Sequence, residues 1–208
     1  MCADGADSGE MRLALFLIVP FVLFSGWQFL RREQNEHGLA RVAGQVAERE
    51  VGVSCPGFWT RLVEITPNAG WVSFDENGRP SDETQLSAET CSSLERLRRH
   101  GPPEVVCLLD GRVSCPRATL EIIQGMITLA HESWHLRGVT NEARTQCYAV
   151  QTVGFVARGF GFTPRDAAIV AASAALDDAH SAVGEYHSLD CRPGGLYDLH
   201  PETRAWPS

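Results

Sequence analysis

Two histidines, His131 and His135, lie four residues apart in the segment AHESWHLRGVTNEARTQC, and Glu132 directly follows the first. In an α-helix, residues i and i+4 lie one turn apart on the same face, so both imidazoles can point at one ion. Glu132 lies one position round the helix, where its carboxylate misses the ion but reaches a water bound to it. The spacing therefore predicts a Zn²⁺ site in which Glu132 activates the zinc-bound water as general base.

Two histidines are too few for such a site. Catalytic zinc normally has three protein ligands and keeps the fourth position for water, so a third donor must come from elsewhere in the chain. Gly138 provides a stop for the histidine-bearing helix, and a second helix can start at Thr140 or Asn141. We therefore expect the third ligand near the start of this second helix, where a short helical hairpin brings the chain back beside the histidines.

The segment HESWH resembles the HExxH signature of zincin-type zinc metallopeptidases, and the resemblance covers about residues 128–151. HESWHLRG also resembles the metzincin-like pattern, in which the third ligand would fall at Asn141, a poor zinc donor. Glu142 opens the next helix and resembles the gluzincin-like arrangement with a short spacer. The resemblance implies a zinc metallopeptidase with His131, His135 and Glu142 as metal ligands, and Gln146 is then a candidate hydrogen-bond partner of a ligand.

A structure without metal is the alternative. His131 and His135 could be hydrogen-bonded core residues, and Glu142 could simply favour the positive end of its helix. The motif nevertheless lies in a strongly apolar helical run, where three ionisable side chains are costly to bury without a metal ion or close partners. For the oxyanion that peptide hydrolysis forms, we predict Tyr186 and His187 as catalytic donors, although either could be a polar residue at the edge of the core.

The amino-terminal part of the chain has the composition of a membrane anchor. Residues 13–30, LALFLIVPFVLFSGWQFL, carry no charge and are about as long as the shortest helices that cross a bilayer. A cleaved secretory signal that begins at Met11 is the alternative, but no A-x-A cleavage pattern follows the apolar run. We predict a short tail over residues 1–12, a transmembrane anchor over 13–30, a juxtamembrane stalk or solvated spacer over 31–50, and one domain over 51–208.

Two rules disagree about the side of the membrane on which this domain lies. More arginines follow the apolar run than precede it, which would place the domain in the cytoplasm. The domain also contains an even number of cysteines without the CxxC spacing of zinc or thioredoxin-type sites, which indicates up to three disulfides and an oxidising compartment. We follow the cysteines and predict an extracytoplasmic domain, with a first pairing between Cys147 and Cys191.

Patterning along the chain indicates a mainly α protein with a small β part, an α+β fold with a zincin-like helical core. Turn-rich sequence precedes Pro116 and leaves room for short strands at Gly70–Phe74 and Glu104–Leu109. Ser87 is a good N-cap for a helix that ends near residue 99, and a later helix is expected to run from Pro164 towards residue 187.

Charge and motif together predict the class of protein. The net charge of −8 offers no basic face for nucleic acid, which we exclude as a partner. We predict a membrane-anchored zinc-dependent hydrolase, most simply a metallopeptidase, whose peptide or protein substrate the sequence does not identify. The alternative is a cell-envelope binding protein that contains a non-catalytic zinc ion or is stabilised by disulfides alone.

Overall fold

The computed structural model describes residues 8–57, 60, 68–109, 114–180, 184–203 and 206–207, without the side chains of residues 8–18, 21 and 184. In this part of the chain the fold is mainly helical with a three-stranded sheet, as the α+β prediction requires. The elements, in chain order, are α1 (Ser8–Ala47), β1 (Gly52–Ser54), β2 (Gly70–Phe74), β3 (Pro80–Leu86), α2 (Ala88–His100), α3 (Arg117–Leu136), α4 (Glu142–Gly159) and α5 (Pro164–His180).

Helix α3 forms the centre of the core. It packs against α1, α2 and α4 and against the sheet, and its residues from Met126 to Leu136 are all buried. Helix α4 packs between α3 and α5, and its close approach to α5 depends on Gly154, where an added Cβ would lie 3.2 Å from Ala171 Cβ. A helix that is surrounded in this way can hold polar side chains only if they have partners or a function, which draws attention to the HExxH segment.

The sheet covers one side of α3. Strand β3 lies in the middle, parallel to β1 and antiparallel to β2, so within the described part of the chain β2 is an edge strand. The strand predicted at Gly70–Phe74 is confirmed as β2. The strand predicted at Glu104–Leu109 is wrong, because Val106–Leu109 form a 3-10 helix. There the Cys107–Cys115 disulfide closes a loop of eight residues, and a chain that must turn back so soon favours a helical turn over an extended strand.

Helix boundaries follow local signals closely. Ser87 caps α2, since its side chain accepts a hydrogen bond from the Thr90 backbone N–H, and the helix ends at His100 before Gly101 with φ of +79°. The last long helix is shorter than predicted. It ends at His180, residues 181–183 lie outside the described residues, and Gly184–Tyr186 form a 3-10 helix.

The second half of α1 belongs to the core. Leu39, Val42, Ala43 and Val46 are buried, and Gly159 of α4 approaches Val42 so closely that an added Cβ would lie 3.3 Å from its methyl groups. Residues 35–47 thus contribute a full apolar helix face to the fold. A solvated spacer was one of the two predictions for residues 31–50, and the burial of this helix face differs from it. The near-helical spacing of Leu39, Val42 and Val46 corresponds to the buried face.

The first half of α1 is different. Its apolar side chains from residue 19 to residue 30 are largely exposed, Leu23 to 68%, and Arg31 lies over the Trp27 ring at 4.1 Å from its centroid. Part of the predicted anchor, the side chains of residues 13–18 and 21, lies outside the described residues. Among the residues that the structure does describe, no helix has both the length and the apolar character needed to cross a membrane.

Three disulfides join the six cysteines that follow α1. Cys55–Cys91 ties the end of β1 to α2, Cys107–Cys115 closes the loop before α3, and Cys147–Cys191 ties α4 to the carboxyl-terminal loop. The Cys147–Cys191 pairing predicted from the sequence is confirmed. Buried Gln151 strengthens the same junction, because its amide donates to the Tyr197 carbonyl at 2.7 Å and accepts from the Leu199 N–H at 2.9 Å.

Candidate metal centre

The turn between α3 and α4 brings the predicted ligands together. Gly138, with φ of +100°, ends α3, and the Val139 N–H donates to the Trp134 carbonyl at 3.1 Å. Asn141 then caps α4, since its Oδ1 atom accepts from the Arg144 N–H at 2.9 Å. Asn141 is therefore a capping residue, and the side chain that the hairpin directs back towards α3 is that of Glu142.

Three potential ligand atoms converge in the space between the two helices. His131 Nε2 lies 3.1 Å from Glu142 Oε2, His135 Nε2 lies 3.3 Å from the same oxygen, and the two imidazole nitrogens are 3.0 Å apart. Both histidines are buried and Glu142 is partly buried, and this group of three could hold a metal ion. The structure thus brings together the three side chains that the sequence predicted as metal ligands.

The other ring nitrogens show which tautomer each histidine adopts. His135 Nδ1 lies 2.7 Å from the Val139 carbonyl oxygen, which can only accept, so Nδ1 carries the proton. His131 Nδ1 lies 3.2 Å from Gln146 Oε1, as expected for a partner that orients a ligand. In the neutral rings both Nε2 atoms then present lone pairs to each other and to a carboxylate. Such a set of converging acceptors is repulsive unless a cation lies between them or His131 is protonated, in which case its Nε2–H donates to Glu142 Oε2 at 3.1 Å.

The spacing of the three acceptors fits a tetrahedral ion. Zn–N and Zn–O bonds of about 2.0–2.1 Å at tetrahedral angles place neighbouring ligand atoms about 3.3 Å apart. The three distances here lie just below or at that value, so one point about 2 Å from all three atoms exists. Burial, followed by the charge of His131, lowers the pKa of His135.

Glu132 lies beside this cluster without belonging to it. The side chain is buried, with the residue 4% exposed, and its Oε2 atom has no hydrogen-bond partner among the described residues. Burial raises the pKa of Glu132 to about 7, an effect that the charge of His131 opposes and that of Glu142 reinforces. Strand β2 leaves room for this carboxylate at Gly70, where an added Cβ would lie 2.8–3.0 Å from the Glu132 side chain.

The cluster opens into a cavity of about 710 Å³ between α3, the start of α4 and strand β2. Tyr186 lines it, with its ring centroid 5.8 Å from that of His131, and Phe74 contacts the His135 ring from the strand side. Burial raises the pKa of Tyr186, and the charge of Glu142 adds to the shift, so the phenol stays protonated at neutral pH. Tyr186 is thus at the site, as predicted.

His187 lies in a different environment from Tyr186. It is not among the described residues that line the cavity, and its Nδ1 atom is buried without a partner among the described residues. Its charge acts on Asp178 of α5, whose pKa is raised by burial and lowered by Gln146 and His187. The sequence analysis did not identify Asp178. This residue lies in the last turn of α5, and no motif in the sequence includes it.

Comparison with protein-family models, with curated proteins and with solved structures finds no match for this chain. The resemblance to zincins therefore depends on the HExxH spacing and on the third ligand alone. What the protein can do follows from the chemistry of the residues in this cavity.

Proposed function

We propose that this protein is a membrane-anchored, zinc-dependent peptidase in which Glu132 is the general base. One observation carries the proposal: three ligand atoms converge within 3.0–3.3 Å of one another, beside a buried carboxylate that has no partner among the described residues. Without a metal ion, the three acceptors repel one another unless His131 is protonated, and the unpaired buried carboxylate oxygen is costly. Both are expected of a site that binds an ion and handles a proton.

Two imidazoles and one carboxylate are a common ligand set of catalytic zinc. A zinc ion held by His131, His135 and Glu142 would act as a Lewis acid towards a substrate carbonyl. Glu132 accepts a proton from the attacking water, and its pKa of about 7 lets it take up and release that proton near neutral pH. Its burial keeps the carboxylate aimed into the cavity rather than at bulk water.

Tyr186 can stabilise the negative charge that develops on the attacked carbonyl oxygen. It lines the cavity beside His131, and its raised pKa keeps the hydroxyl proton available for donation. His187 is the second catalytic donor predicted from the sequence. Because His187 interacts with Asp178 and does not line the cavity among the described residues, the contacts support Tyr186 more directly.

A peptide is the substrate class that best fits the cavity. Edge strand β2 lines it from Gly70 to Phe74, beside Glu132 at one end and His135 at the other. An edge strand presents backbone N–H and C=O groups to which an extended peptide can pair. Such pairing would hold a peptide bond next to the three predicted ligands without requiring a particular side chain.

We also propose that the first half of α1 anchors the protein and that the domain lies outside the cytoplasm. Most of the described apolar side chains between residues 19 and 30 are exposed, Leu23 to 68%, and a helix that is apolar on all sides is typical of a lipid environment. The three disulfides support an oxidising compartment. Alkaline extraction of membranes that contain the full chain tests the anchor, and release into the supernatant would reject it.

The activity is tested with Glu132→Gln, which keeps the size of the side chain and removes the base. The purified full chain, loaded with zinc, should hydrolyse a peptide library, and the variant should lose at least about a hundredfold in kcat while it keeps one zinc ion per chain. Glu104→Gln is the matched control, because Glu104 is exposed and remote from the cavity. A variant with wild-type kcat would contradict the role of Glu132.

Wild-type protein that binds zinc but cleaves no peptide would favour the alternative, a non-catalytic zinc-containing binding protein of the cell envelope. Protein that binds no zinc and remains folded would favour a binding protein stabilised by its disulfides alone. Metal analysis and peptide cleavage together therefore separate the three functions.

A further inference from the structure

A second cavity, of about 570 Å³, adjoins the metal-centre cavity. Together the two cavities are called the groove, and they share four lining residues: Asn68, Ala69, Gln124 and Ile127. At the metal-centre end, the groove contains the buried and unpartnered Glu132 Oε2 atom. A ligand that reaches this atom can therefore extend into the second cavity without leaving the protein surface.

The groove follows one face of α3. Leu120, Gln124 and His131 are spaced by four and seven residues and so lie along the same side of the helix. At 1.5 Å per residue, Gln124 lies about 10 Å and Leu120 about 16 Å before His131 along the helix axis. An extended peptide advances about 3.3 Å per residue, so the second cavity lies three to five residues from the metal centre.

The walls and rim of the second cavity differ in character. Ile123, Ile127 and Ala174 form buried apolar walls. The charged side chains in its lining are all carboxylates, from Glu89 of α2, Glu121 of α3 and Asp177 of α5, and the described lining contains no arginine or histidine.

Two of these carboxylates have no ion-pair partner among the described residues. Glu121 is paired with Arg96 at 3.1 Å and Arg117 at 2.8 Å, and hydrogen bonds from these arginines lower its pKa. Glu89 and Asp177 are exposed, and neither forms an ion pair with another described residue. The exposed rim of the second cavity therefore carries the negative charges of Glu89 and Asp177.

We propose that the second cavity binds an arginine or lysine side chain of the peptide substrate, three to five residues from the scissile bond. The proposal rests on the proposed function, because it assumes that the same peptide lies at the metal centre. A long cationic side chain can pack its methylene groups on the apolar walls and place its charge beside Glu89 and Asp177. This arrangement makes the groove selective for peptides with a basic residue at one distance from the reacting bond.

Binding tests the proposal without any turnover. The full chain with Glu132→Gln, loaded with zinc, is titrated with fluorescent alanine-based peptides that differ only in the position of one arginine, and anisotropy gives each Kd. One or two adjacent positions should bind about tenfold more tightly than the all-alanine peptide. Adding Glu89→Gln and Asp177→Asn should reduce this ratio to below about threefold. The matched control pair Glu76→Gln and Glu104→Gln, exposed and outside both cavities, should leave the ratio unchanged.

The results separate this inference from the proposed function. Equal affinity for all peptides, weaker binding of the arginine peptides than of the all-alanine peptide, or a preference that survives the Glu89 and Asp177 changes would overturn it. Cleavage of peptides by the wild-type chain without a basic preference would leave the peptidase proposal standing and reject the second-cavity assignment. Selective binding of basic peptides without cleavage by the wild-type chain would support the cavity as a ligand site and reject the peptidase.

Discussion

Two carboxylates in one cavity, on two neighbouring helices, have opposite properties. Glu142, in the first turn of α4, contacts both imidazoles and lies at the positive end of its helix, and hydrogen bonds from His131 are the main reason that its pKa is lowered. Glu132, in the second half of α3, is buried without a hydrogen bond to its Oε2 atom, and burial raises its pKa to about 7.

The difference shows how two positions on one hairpin give the same kind of side chain opposite pKa shifts. A carboxylate that stays ionised suits a metal ligand, because the ligand must present a lone pair at all working pH values. A carboxylate whose pKa lies near neutrality suits a base, because it can gain and lose a proton. In the proposed function, these properties suit Glu142 to the ion and Glu132 to the proton.

The same substitution at the two positions should give the largest contrast. We expect Glu142→Gln to reduce zinc from about one ion per chain to nearly none, because an amide oxygen is a much weaker ligand than a carboxylate, whereas Glu132→Gln should keep the metal. Atomic emission analysis of the dialysed full chain measures this stoichiometry. His131→Ala and His135→Ala should match Glu142→Gln.

Retention of zinc by Glu142→Gln would mean that the third ligand comes from elsewhere. Circular dichroism of each variant is the control, since loss of metal counts only if the helices remain.

The pH dependence of the metal-free protein should report the buried Glu132. Its folded pKa of about 7 exceeds the unfolded value near 4.5, so the folded state binds more protons in between, and stability falls as pH rises through this window. Glu132→Gln removes the effect. The variant should gain about 2–3 kcal/mol over the wild type in free energy of unfolding between pH 5 and pH 8, measured in chelator by urea denaturation.

A constant difference between wild type and variant over this pH range would show that Glu132 is already ionised or solvated in the metal-free fold. The Glu104→Gln chain, with its exposed carboxylate, should unfold like the wild type at every pH.

We expect the smallest change in zinc affinity from substitution of Gln146. Its side chain contacts His131 Nδ1, whereas His135 and Glu142 lie near His131 Nε2. Gln146→Leu should weaken zinc affinity about 10- to 100-fold, because His131 loses the acceptor that holds its Nδ1 proton. Gln146→Glu keeps an acceptor oxygen at the same reach and should restore most of the affinity. Competition with a chromophoric chelator measures both constants, and equal losses in the two variants would indicate a packing role.

Helix ends were the most predictable part of the fold. The Ser87 cap, the Gly138 stop and the α4 start at Asn141–Glu142 follow from local backbone chemistry, and the structure confirms them. Elements that depend on distant partners were harder. β3 has little strand character of its own and forms between β1 and β2. The predicted strand at 104–109 pairs with no strand among the described residues, and Val106–Leu109 form a 3-10 helix instead.

The cluster of His131, His135 and Glu142 was predictable for a related reason. Residues four apart on a helix share a face whatever surrounds them, so His131 and His135 were paired before any fold was known. The choice between Asn141 and Glu142 depended on which residue caps α4, and the structure gives that role to Asn141. Asp178 and Gly70 were not predictable, since both approach the site from elements far away in the sequence.

By itself the sequence determined the periodic features: the two histidines on one helix face, the glutamate beside them, the helix that follows and an even set of cysteines. Only the tertiary structure decided which side chains are buried and what they meet. It placed Gly70 of β2 against Glu132, brought Glu142 within 3.3 Å of both imidazoles and packed the second half of α1 into the core. Local backbone geometry sets spacing along a chain, whereas burial and its effect on pKa depend on elements that the chain brings together from a distance.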